Sequence, residues 1–253
     1  MSTPPPRVAH SRIVSGLKVD GMRIIDLGSG RGKWTRLLAK RAEHVTGVDH
    51  RPEAVSDAVE AATNDSVRNV DFHVADFRDE NWFSSLGRFD LVTAFGVLHR
   101  VANPFDFVNL ASKLAPRLFL EWRSPVFPAL QRLSLAAHSE SSFIDRASVG
   151  QSPVESDINT YGSYGFWDLS VHAATVLAKR EGFPESELLG FARYNDQDLS
   201  TPRQALRKQF HRVAKRLLKG RRIDSSLLSP GSNWRAYVSF ADQKDNLLDF
   251  RYS

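Results

Sequence analysis

Apolar and polar residues alternate along the first half of the chain with two different periods. Short apolar runs that end at glycine or aspartate predict β-strands, and runs with apolar residues three or four positions apart predict helices between them. The predicted strands are residues 23–27, 44–49, 70–76, 89–98 and 117–122. The predicted helices are residues 33–43, 51–63 and 104–114. This rhythm predicts an α/β fold with a mostly parallel, doubly wound sheet, because parallel neighbours need crossover connections of this length.

The pattern changes after the fifth predicted strand. Residues 123–163 carry serine, proline and aromatic residues with weak periodicity, apart from a predicted helix near 127–138. Residues 166–183 have the apolar spacing of an amphipathic helix. The last predicted strands are residues 187–194 and 234–241. We interpret the chain as one catalytic domain with insertions and not as two independent domains.

These features divide the chain into a domain and its additions. A proline-rich start predicts a flexible N-terminal segment over residues 1–19, followed by the domain over residues 20–245. One insertion, at about 123–165, is expected to form the substrate site or its lid. A second, basic and helical, is expected at about 197–232. The start lacks the apolar core of a signal peptide and no run approaches a membrane span, so we expect a cytoplasmic protein without a transmembrane segment.

The composition excludes several kinds of chemistry. The chain has 42% hydrophobic and 25% charged residues, which is typical of an ordinary globular protein. It has no cysteine, which excludes disulfides, thiolate metal ligands and cysteine nucleophiles. Its histidine and acidic residues show no convincing metal-ligand spacing, and we therefore predict no metal.

The positive charge is concentrated in one segment. Residues 199–223 hold nine of the 34 Lys and Arg residues and no Asp or Glu, so the rest of the chain carries a net negative charge. Leu206, Phe210, Val213 and Leu217 recur there at helical spacing. The pattern predicts a basic amphipathic helix over 203–222 that engages an anionic substrate, RNA or an anionic membrane surface. The alternative is a solvated helix face without a partner.

A glycine-rich turn follows the first predicted strand in the sequence DLGSGRG, residues 26–32. Ligands bind at the carboxyl ends of the strands in open parallel sheets, and glycines there let the backbone approach a ligand closely. Asp49 ends the next strand, where its carboxylate can accept both hydroxyls of a ribose. A dinucleotide fingerprint would need glycine where Lys33 stands. The turn is therefore wrong for a typical dinucleotide site.

The turn, the later GVD at 47–49 and FDLVTAFGVLHR at 89–100 closely resemble the class I S-adenosylmethionine-dependent methyltransferases, over about residues 20–122. The resemblance implies a Rossmann-like sheet of seven strands with an antiparallel last strand, and S-adenosyl-L-methionine as cofactor. It implies that Asp49 binds the ribose hydroxyls. It assigns the amino-acid part of the cofactor to Asp26, Gly28, Ser29, Gly30 and Gly32. It places Asp76 and Phe77 beside the adenine, and Phe95 and Gly96 beneath the methionine portion.

Candidate residues for the chemistry follow the fourth and fifth strands. His99 is the titratable group best placed by topology to act as a general base, and the alternative is local packing or capping. An anionic acceptor could be bound by Arg100. The further candidates for substrate binding are Glu121, Arg123, Tyr161, Tyr164 and Trp167. Each has a structural alternative, namely an exposed arginine, an ion pair or an aromatic cluster that packs as a lid.

Three functions remain open at this point. The leading hypothesis is O-methylation of a small or medium-sized metabolite. The alternative is a tRNA-modifying methyl or carboxymethyl transferase, because residues 95–116 and 164–183 are also similar, more weakly, to the tRNA wobble-uridine carboxymethyltransferase family. A third possibility is a binding module that keeps the fold without catalysis. The tetrapeptide typical of nucleic-acid N-methyltransferases is absent after the fourth strand, which disfavours base N-methylation by that route.

Overall fold

The computed structural model of the protein describes residues 10–123, 141–145, 165–169, 171–193 and 234–248. The strands are β1 (Arg23–Leu27), β2 (His44–Asp49), β3 (Val70–Val74), β4 (Leu91–Phe95), β5 (Arg117–Arg123), β6 (Ser141–Asp145), β7 (Gly165–Leu169), β8 (Glu185–Arg193) and β9 (Trp234–Ala241). The helices are α1 (His10–Gly16), α2 (Lys33–Ala39), α3 (Pro52–Asn64), α4 (Glu80–Ser85), α5 (Pro104–Leu114) and α6 (Val171–Arg180), with a 3₁₀ turn at Lys244–Asn246. The predicted helices near 127–138 and over 203–222 lie outside these residues, as do Tyr161 and Tyr164.

Seven strands form one sheet in the order β3-β2-β1-β4-β5-β9-β8. The neighbours from β3 to β5 pair in parallel, whereas β9 runs antiparallel to both β5 and β8. The strand order reverses between β1 and β4, which is the switch point at which open sheets bind ligands. The expected mostly parallel sheet with an antiparallel last strand is confirmed. β6 and β7 pair antiparallel in a separate two-stranded sheet.

Alternate residues of the central strands point into two apolar cores, one on each face of the sheet. Ile24 packs with the core that includes α1 and α2, whereas Ile25 packs with the core that includes α5 and α6. Both residues are fully buried. Both faces of the sheet are covered by helices, so the side chains of the central strands pack against them. Only the ends of the strands are therefore accessible to a ligand.

The N-terminal segment differs from the expectation of a flexible start. Residues 10–16 form α1, and Ile13, Val14 and Leu17 are at most 2% exposed. Arg41, which follows α2, donates from Nη1 to the carbonyls of Ser15 and Leu17 at 3.0 and 2.9 Å. A helix of seven residues is not stable alone, so these tertiary contacts stabilise it, and the sequence pattern on its own was too short to indicate it.

The long helix predicted over residues 166–183 is wrong in its first part. Residues 165–169 form β7, which pairs with β6, and the helix runs only over Val171–Arg180. The carbonyl of Leu169 accepts a hydrogen bond from Trp122 Nε1 at 2.8 Å. Aromatic residues at 166 and 167 favour a strand when a partner strand is present, and this partner comes from residues 141–145.

Candidate functional site

A cavity of about 800 Å³ lies at the carboxyl ends of the parallel strands. Nine of the ten residues predicted to bind the cofactor line it. They are Asp26, Gly28, Ser29, Gly30, Asp49, Asp76, Phe77, Phe95 and Gly96. A smaller hollow of about 270 Å³ between α4 and α5 holds none of them. The fold therefore brings residues from four different strand ends to one place.

The glycine turn follows β1 and is held against two neighbouring strands. The amides of Gly28 and Ser29 donate to the carbonyl of Val48 in β2 at 2.7 and 2.9 Å. Gly28 has a φ of +75°, and a Cβ there would lie 2.4 Å from Val97 Cγ2. Only glycine allows this close passage of the turn beside the chain that follows β4.

Gly32 is the predicted cofactor residue that is not part of the cavity lining. A Cβ on it would lie 2.7 Å from the ring of Phe72 on β3. Its φ of +68° begins helix α2, so the glycine lets the helix start close to the sheet. Its contribution is therefore to packing beneath the turn.

Asp49 is buried at the end of β2 with a full set of hydrogen bonds. Its Oδ2 accepts from the Gly30 amide at 2.9 Å and from Arg51 Nη2 at 3.4 Å, and its Oδ1 accepts from Arg51 N and Nε at 3.1 and 3.0 Å. Burial acts to raise the pKa of Asp49, but the Arg51 contacts and the Gly30 amide outweigh it and hold the pKa below its ordinary value. The carboxylate is therefore ionised at neutral pH.

Asp26 lies one strand away and is also buried. Its Oδ2 accepts from the Thr35 hydroxyl at 2.6 Å and its Oδ1 from the Thr93 hydroxyl at 2.9 Å. Burial raises the pKa of Asp26 to about 6, against the effect of these two hydroxyl donors. The two threonines hold the carboxylate in one orientation at the floor of the cavity.

Asp76 and Phe77 follow β3 at the side of the cavity. Arg78 donates from N and Nε to Asp76 Oδ1 at 2.9 Å each and from Nη2 to Oδ2 at 2.6 Å, which lowers the pKa of that carboxyl. The Phe77 ring packs edge-on against Phe107 with 5.2 Å between the ring centroids. An acceptor beside a packed aromatic ring is suited to the edge and face of a heterocyclic base.

Phe95 ends β4 beneath the cavity. Its ring stacks on that of Trp34 with 5.5 Å between the centroids, and Lys33 Nζ lies 4.5 Å from the centre of the Trp34 ring. Gly96 follows with a φ of +73° and donates its amide to the carbonyl of Glu121 at 2.8 Å. Aromatic rings therefore form one side of the cavity floor, and the backbone at Gly96 joins the other side to β5.

Glu121 and Arg235 form an ion pair in the wall of the cavity. Glu121 Oε1 lies 3.1 Å from Arg235 Nε, and the two side chains are only 4% and 11% exposed. The distance is that of a salt bridge. Burial raises the pKa of Glu121 to about 7, while the charges of Arg235 and Arg100 and the Gly96 amide act to lower it.

The other residues predicted to act in catalysis or substrate binding differ in their position relative to the cavity. Arg100 lines the cavity with an exposed side chain. His99 is 4% exposed and is not among the residues that line the cavity. Arg123 ends β5 and Trp167 lies in β7, but their side chains are outside what the structure describes. The catalytic role of His99 remains a prediction, and its burial away from the cavity disfavours that role.

Several residues of the site were missed by sequence reasoning. Arg51 and Arg78 each follow a predicted cofactor carboxylate by two positions, and Arg235 comes from the last strand. The repeated D-x-R spacing was a usable signal for the first two. Nothing near Glu121 in sequence indicates Arg235, because the two residues meet only through the antiparallel pairing of β5 with β9.

The residues present fit S-adenosylmethionine by their chemistry. The turn passes so close to Val97 that no side chain fits at Gly28, which leaves backbone facing the cavity. Ionised Asp49 suits ribose hydroxyls, and Asp76 with Phe77 suits adenine. Within the described residues, no group of three or more His, Cys, Asp or Glu could hold a metal ion. None of the helices in these ranges is long and apolar enough to cross a membrane.

Comparison with known proteins identifies related segments. Residues 18–118 match a family model described as a methyltransferase domain. The chain is 46% identical over 67 residues, or 26% of its length, to the 23S rRNA (uracil(1939)-C(5))-methyltransferase RlmD of Methylococcus capsulatus. It is 32% identical over 94 residues, 37% of its length, to the ubiquinone biosynthesis O-methyltransferase of Aromatoleum aromaticum. These matches span only 15% and 39% of the relatives' own lengths.

Solved structures with a similar fold have low sequence identity. The YcgJ protein of Bacillus subtilis superposes with a TM-score of 0.55 at 13% identity, covering 93% of this chain and 99% of that one. The N-terminal domain of EvdMO1 with SAH bound gives a TM-score of 0.53 at 17% identity, covering 88% and 76% of the two chains. At this identity the likeness shows a shared fold alone.

Proposed function

We propose, from a chain whose residues 18–118 match a methyltransferase-domain family model, that this protein transfers a methyl group from S-adenosylmethionine to an oxygen of a small or medium-sized acceptor. The family match confirms the resemblance seen in the sequence motifs over that segment. One observation carries the proposal, namely that the glycine turn and the carboxylates of Asp26, Asp49 and Asp76 converge on a single cavity. The proposal covers both the class of acceptor and the atom that receives the methyl group.

The cofactor end of the cavity is built from β1 to β4. Asp49 would accept the ribose hydroxyls, and Asp26 with the backbone of the turn would face the amino-acid part. When bound, the cofactor supplies a methyl group on a positively charged sulfur. The role of the protein is then to hold the acceptor in line and exclude water, which can contribute much of the rate enhancement.

The acceptor end is built from β5, β9 and the chain that follows β4. Arg100, Asn103 and Asp106 line it with polar groups, and Val101 and Ala102 with apolar ones. This mixture suits an amphipathic acceptor better than a purely apolar one. Oxygen as the acceptor atom is supported by two relatives named as O-methyltransferases, the second being the magnesium-protoporphyrin O-methyltransferase of Rhodobacter capsulatus, 36% identical over 97 residues.

The first prediction is that the protein binds S-adenosylmethionine and S-adenosylhomocysteine, and that Asp49→Ala weakens both. The variant removes the only carboxylate at the end of β2, which leaves ribose hydroxyls unpaired at a cost of about 1–3 kcal/mol. Calorimetry of each compound measures the loss. Asp65→Ala is the matched control, because Asp65 pairs with Arg36 at 2.8 Å outside the cavity.

Two results would contradict this proposal. If the wild-type protein bound neither compound, the methyltransferase function would be lost. If both bound but no methyl transfer occurred to any of a panel of hydroxylated metabolites, the non-catalytic binding module would be favoured. Binding of NAD in place of both compounds would favour a dehydrogenase.

A second candidate function is the methylation of RNA. It is supported by the match to RlmD, which has the highest identity of the relatives named above. The match covers only 26% of this chain, however. The basic segment over 203–222 lies outside the residues that the structure describes.

A further inference from the structure

The Glu121–Arg235 pair is a buried charge pair that the fold alone does not require. Glu121 lies near the end of β5 and Arg235 near the start of β9, and the two residues are 3% and 9% exposed. Burying two charges costs solvation, and apolar residues of similar volume often stabilise a fold at least as well. A buried pair in the wall of a ligand cavity is therefore a candidate for a role in the chemistry.

The two carboxylate oxygens of Glu121 have different surroundings. Oε1 lies against Arg235 Nε at 3.1 Å. Oε2 lies toward Gly96, since a Cβ at that residue would be 3.7 Å from Oε2 and 3.7 Å from Arg235 Nη1. Gly96, Glu121 and Arg235 all line the cavity, and Gly96 is one of the residues that the resemblance places beneath the methionine portion of the cofactor.

The titratable groups around Glu121 come from β9, from the chain after β4 and from β1. Arg235 on β9 and Arg100 after β4 both act on the carboxyl electrostatically. Tyr237, its register partner on β9, is buried beside it. Asp26 on β1 lines the same cavity but lies two strands away, beyond β4. Burial is the largest influence and raises the pKa of Glu121 to about 7, which suits a group that takes up a proton at neutral pH.

We propose that Glu121 is the general base of the methyl transfer and that Arg235 is the positioning residue that holds it. The inference rests on the proposed function. The acceptor oxygen forms its bond to the methyl carbon, and the carbon–sulfur bond breaks with its electron pair left on sulfur. The proton of the acceptor hydroxyl passes to Glu121 Oε2 and is later released to water. No further reactant is needed.

This assignment has a consequence that can be measured without knowing the acceptor. S-adenosylmethionine carries a positive sulfur that S-adenosylhomocysteine lacks, and both carry the same amino-acid and nucleoside parts. An ionised Glu121 near the sulfur stabilises only the positive compound. Below the pKa of Glu121 the carboxyl is neutral and this preference is absent. The preference for S-adenosylmethionine therefore rises as pH rises through that pKa.

The experiment measures the dissociation constants of both compounds by calorimetry between about pH 5.5 and 8.5. For the wild type we expect the ratio of the two affinities to shift toward S-adenosylmethionine by about tenfold across this range. Glu121→Gln keeps the shape of the side chain and removes its charge, so its ratio should not change with pH. Glu80→Gln is the control, because Glu80 lines the same cavity with a side chain that is 72% exposed.

Further variants keep the test decisive. Asp26→Asn should change the affinity for both compounds together and leave their ratio dependent on pH. Arg235→Gln removes the positive partner, so the midpoint of the ratio should move to higher pH, and Arg235→Lys should restore it in part. The two Arg235 variants provide a readout if Glu121→Gln does not fold, which circular dichroism will show.

Each outcome distinguishes this inference from the proposed function. If neither compound binds, the proposed function itself is wrong. If both bind and the wild-type ratio is constant across the pH range, the role of Glu121 is wrong while the proposed function stands. A ratio that depends on pH in Glu121→Gln as it does in the wild type would overturn the inference as well.

Discussion

The hydrogen bonds of Asp49 set a condition on ligand binding at the scale of single residues. An ionised carboxylate has about four acceptor positions, and the Gly30 amide together with Arg51 N, Nε and Nη2 occupies that number. Ribose hydroxyls can therefore bind Asp49 only if the side chain of Arg51 moves away. The Arg51 side chain is 41% exposed, so water can replace its contacts.

We accordingly predict that Arg51→Ala raises the affinity for S-adenosylhomocysteine by a few-fold. The reason is that a half-exposed ion pair stabilises by only about 1 kcal/mol or less, and the variant removes this competition. Calorimetry at low salt measures the gain, which should shrink as salt is added because the ion pair is screened. Arg36→Ala is the control, since Arg36 forms a comparable pair with Asp65 outside the cavity. A clear loss of affinity would instead make Arg51 part of the binding surface.

At the scale of elements, the agreement between pattern and structure depends on the strength of the local sequence signals. Helix α5 and strand β2 have the predicted bounds, because each combines strong periodicity with a clear start or end signal. Asn103 caps α5 by accepting from the Phe105 amide at 3.0 Å, and Pro104 is its first residue. Helix α1 has seven residues, and its formation depends on packing into the core that it shares with α2.

The prediction for α1 is that Ile13→Ala destabilises the whole domain. Ile13 is fully buried in the core shared with α2 and the sheet, so its truncation should lower the free energy of unfolding by about 2–4 kcal/mol. Urea unfolding followed by circular dichroism measures this loss. Val59→Ala on α3 is the matched control, because Val59 is 48% exposed and its truncation should change stability by less than about 0.5 kcal/mol. An equal effect of both variants would show that α1 does not contribute to the core.

The whole molecule has an uneven distribution of charge. The segment over 199–223 is strongly basic, while the remainder of the chain is net acidic. The cavity is lined by side chains of both signs, among them Asp26, Asp49, Arg51 and Arg100. An anionic partner would therefore be attracted by the basic segment more than by the body of the domain.

Reversal of charge in the basic segment tests whether RNA is that partner. The variant carries glutamate at Arg212, Lys215 and Arg216, and the control carries it at the exposed Lys40, Lys113 and Lys179. If RNA is bound, the wild type should bind total tRNA with an affinity that falls with salt. The variant should then lose about tenfold or more of that affinity, because each phosphate contact contributes to the release of counterions.

Binding of the same variants to anionic vesicles and to S-adenosylhomocysteine distinguishes the remaining partners. Loss of binding to anionic vesicles in place of tRNA would indicate a membrane surface. Affinity for S-adenosylhomocysteine should not change in either variant, since none of the substituted residues is among those proposed to bind the cofactor. Unchanged tRNA affinity in the first variant would remove the main support for RNA as the substrate.

The sequence by itself determined the sheet and the cofactor end of the site. Periodicity and turn residues are local signals, and they indicated the five parallel strands together with Gly28, Asp49, Asp76 and Phe95. These residues follow their strands directly, so the topology of a parallel sheet is sufficient to bring them to one edge. Of the ten residues that the sequence assigned to the cofactor, Gly32 is the one that does not line the cavity, and it lies against Phe72.

Only the tertiary structure decided which side chains meet at the acceptor end. Glu121 and Arg235 are distant in sequence, and their contact depends on the register in which β5 pairs with β9. The same is true of β7, whose partner strand is β6, and of α1, whose apolar side is covered by the core. The hydrogen-bond saturation of Asp49 and the burial of His99 also appear only in three dimensions. The physical reason is that burial and ion pairing depend on distant neighbours, whereas periodicity and turns depend on adjacent residues.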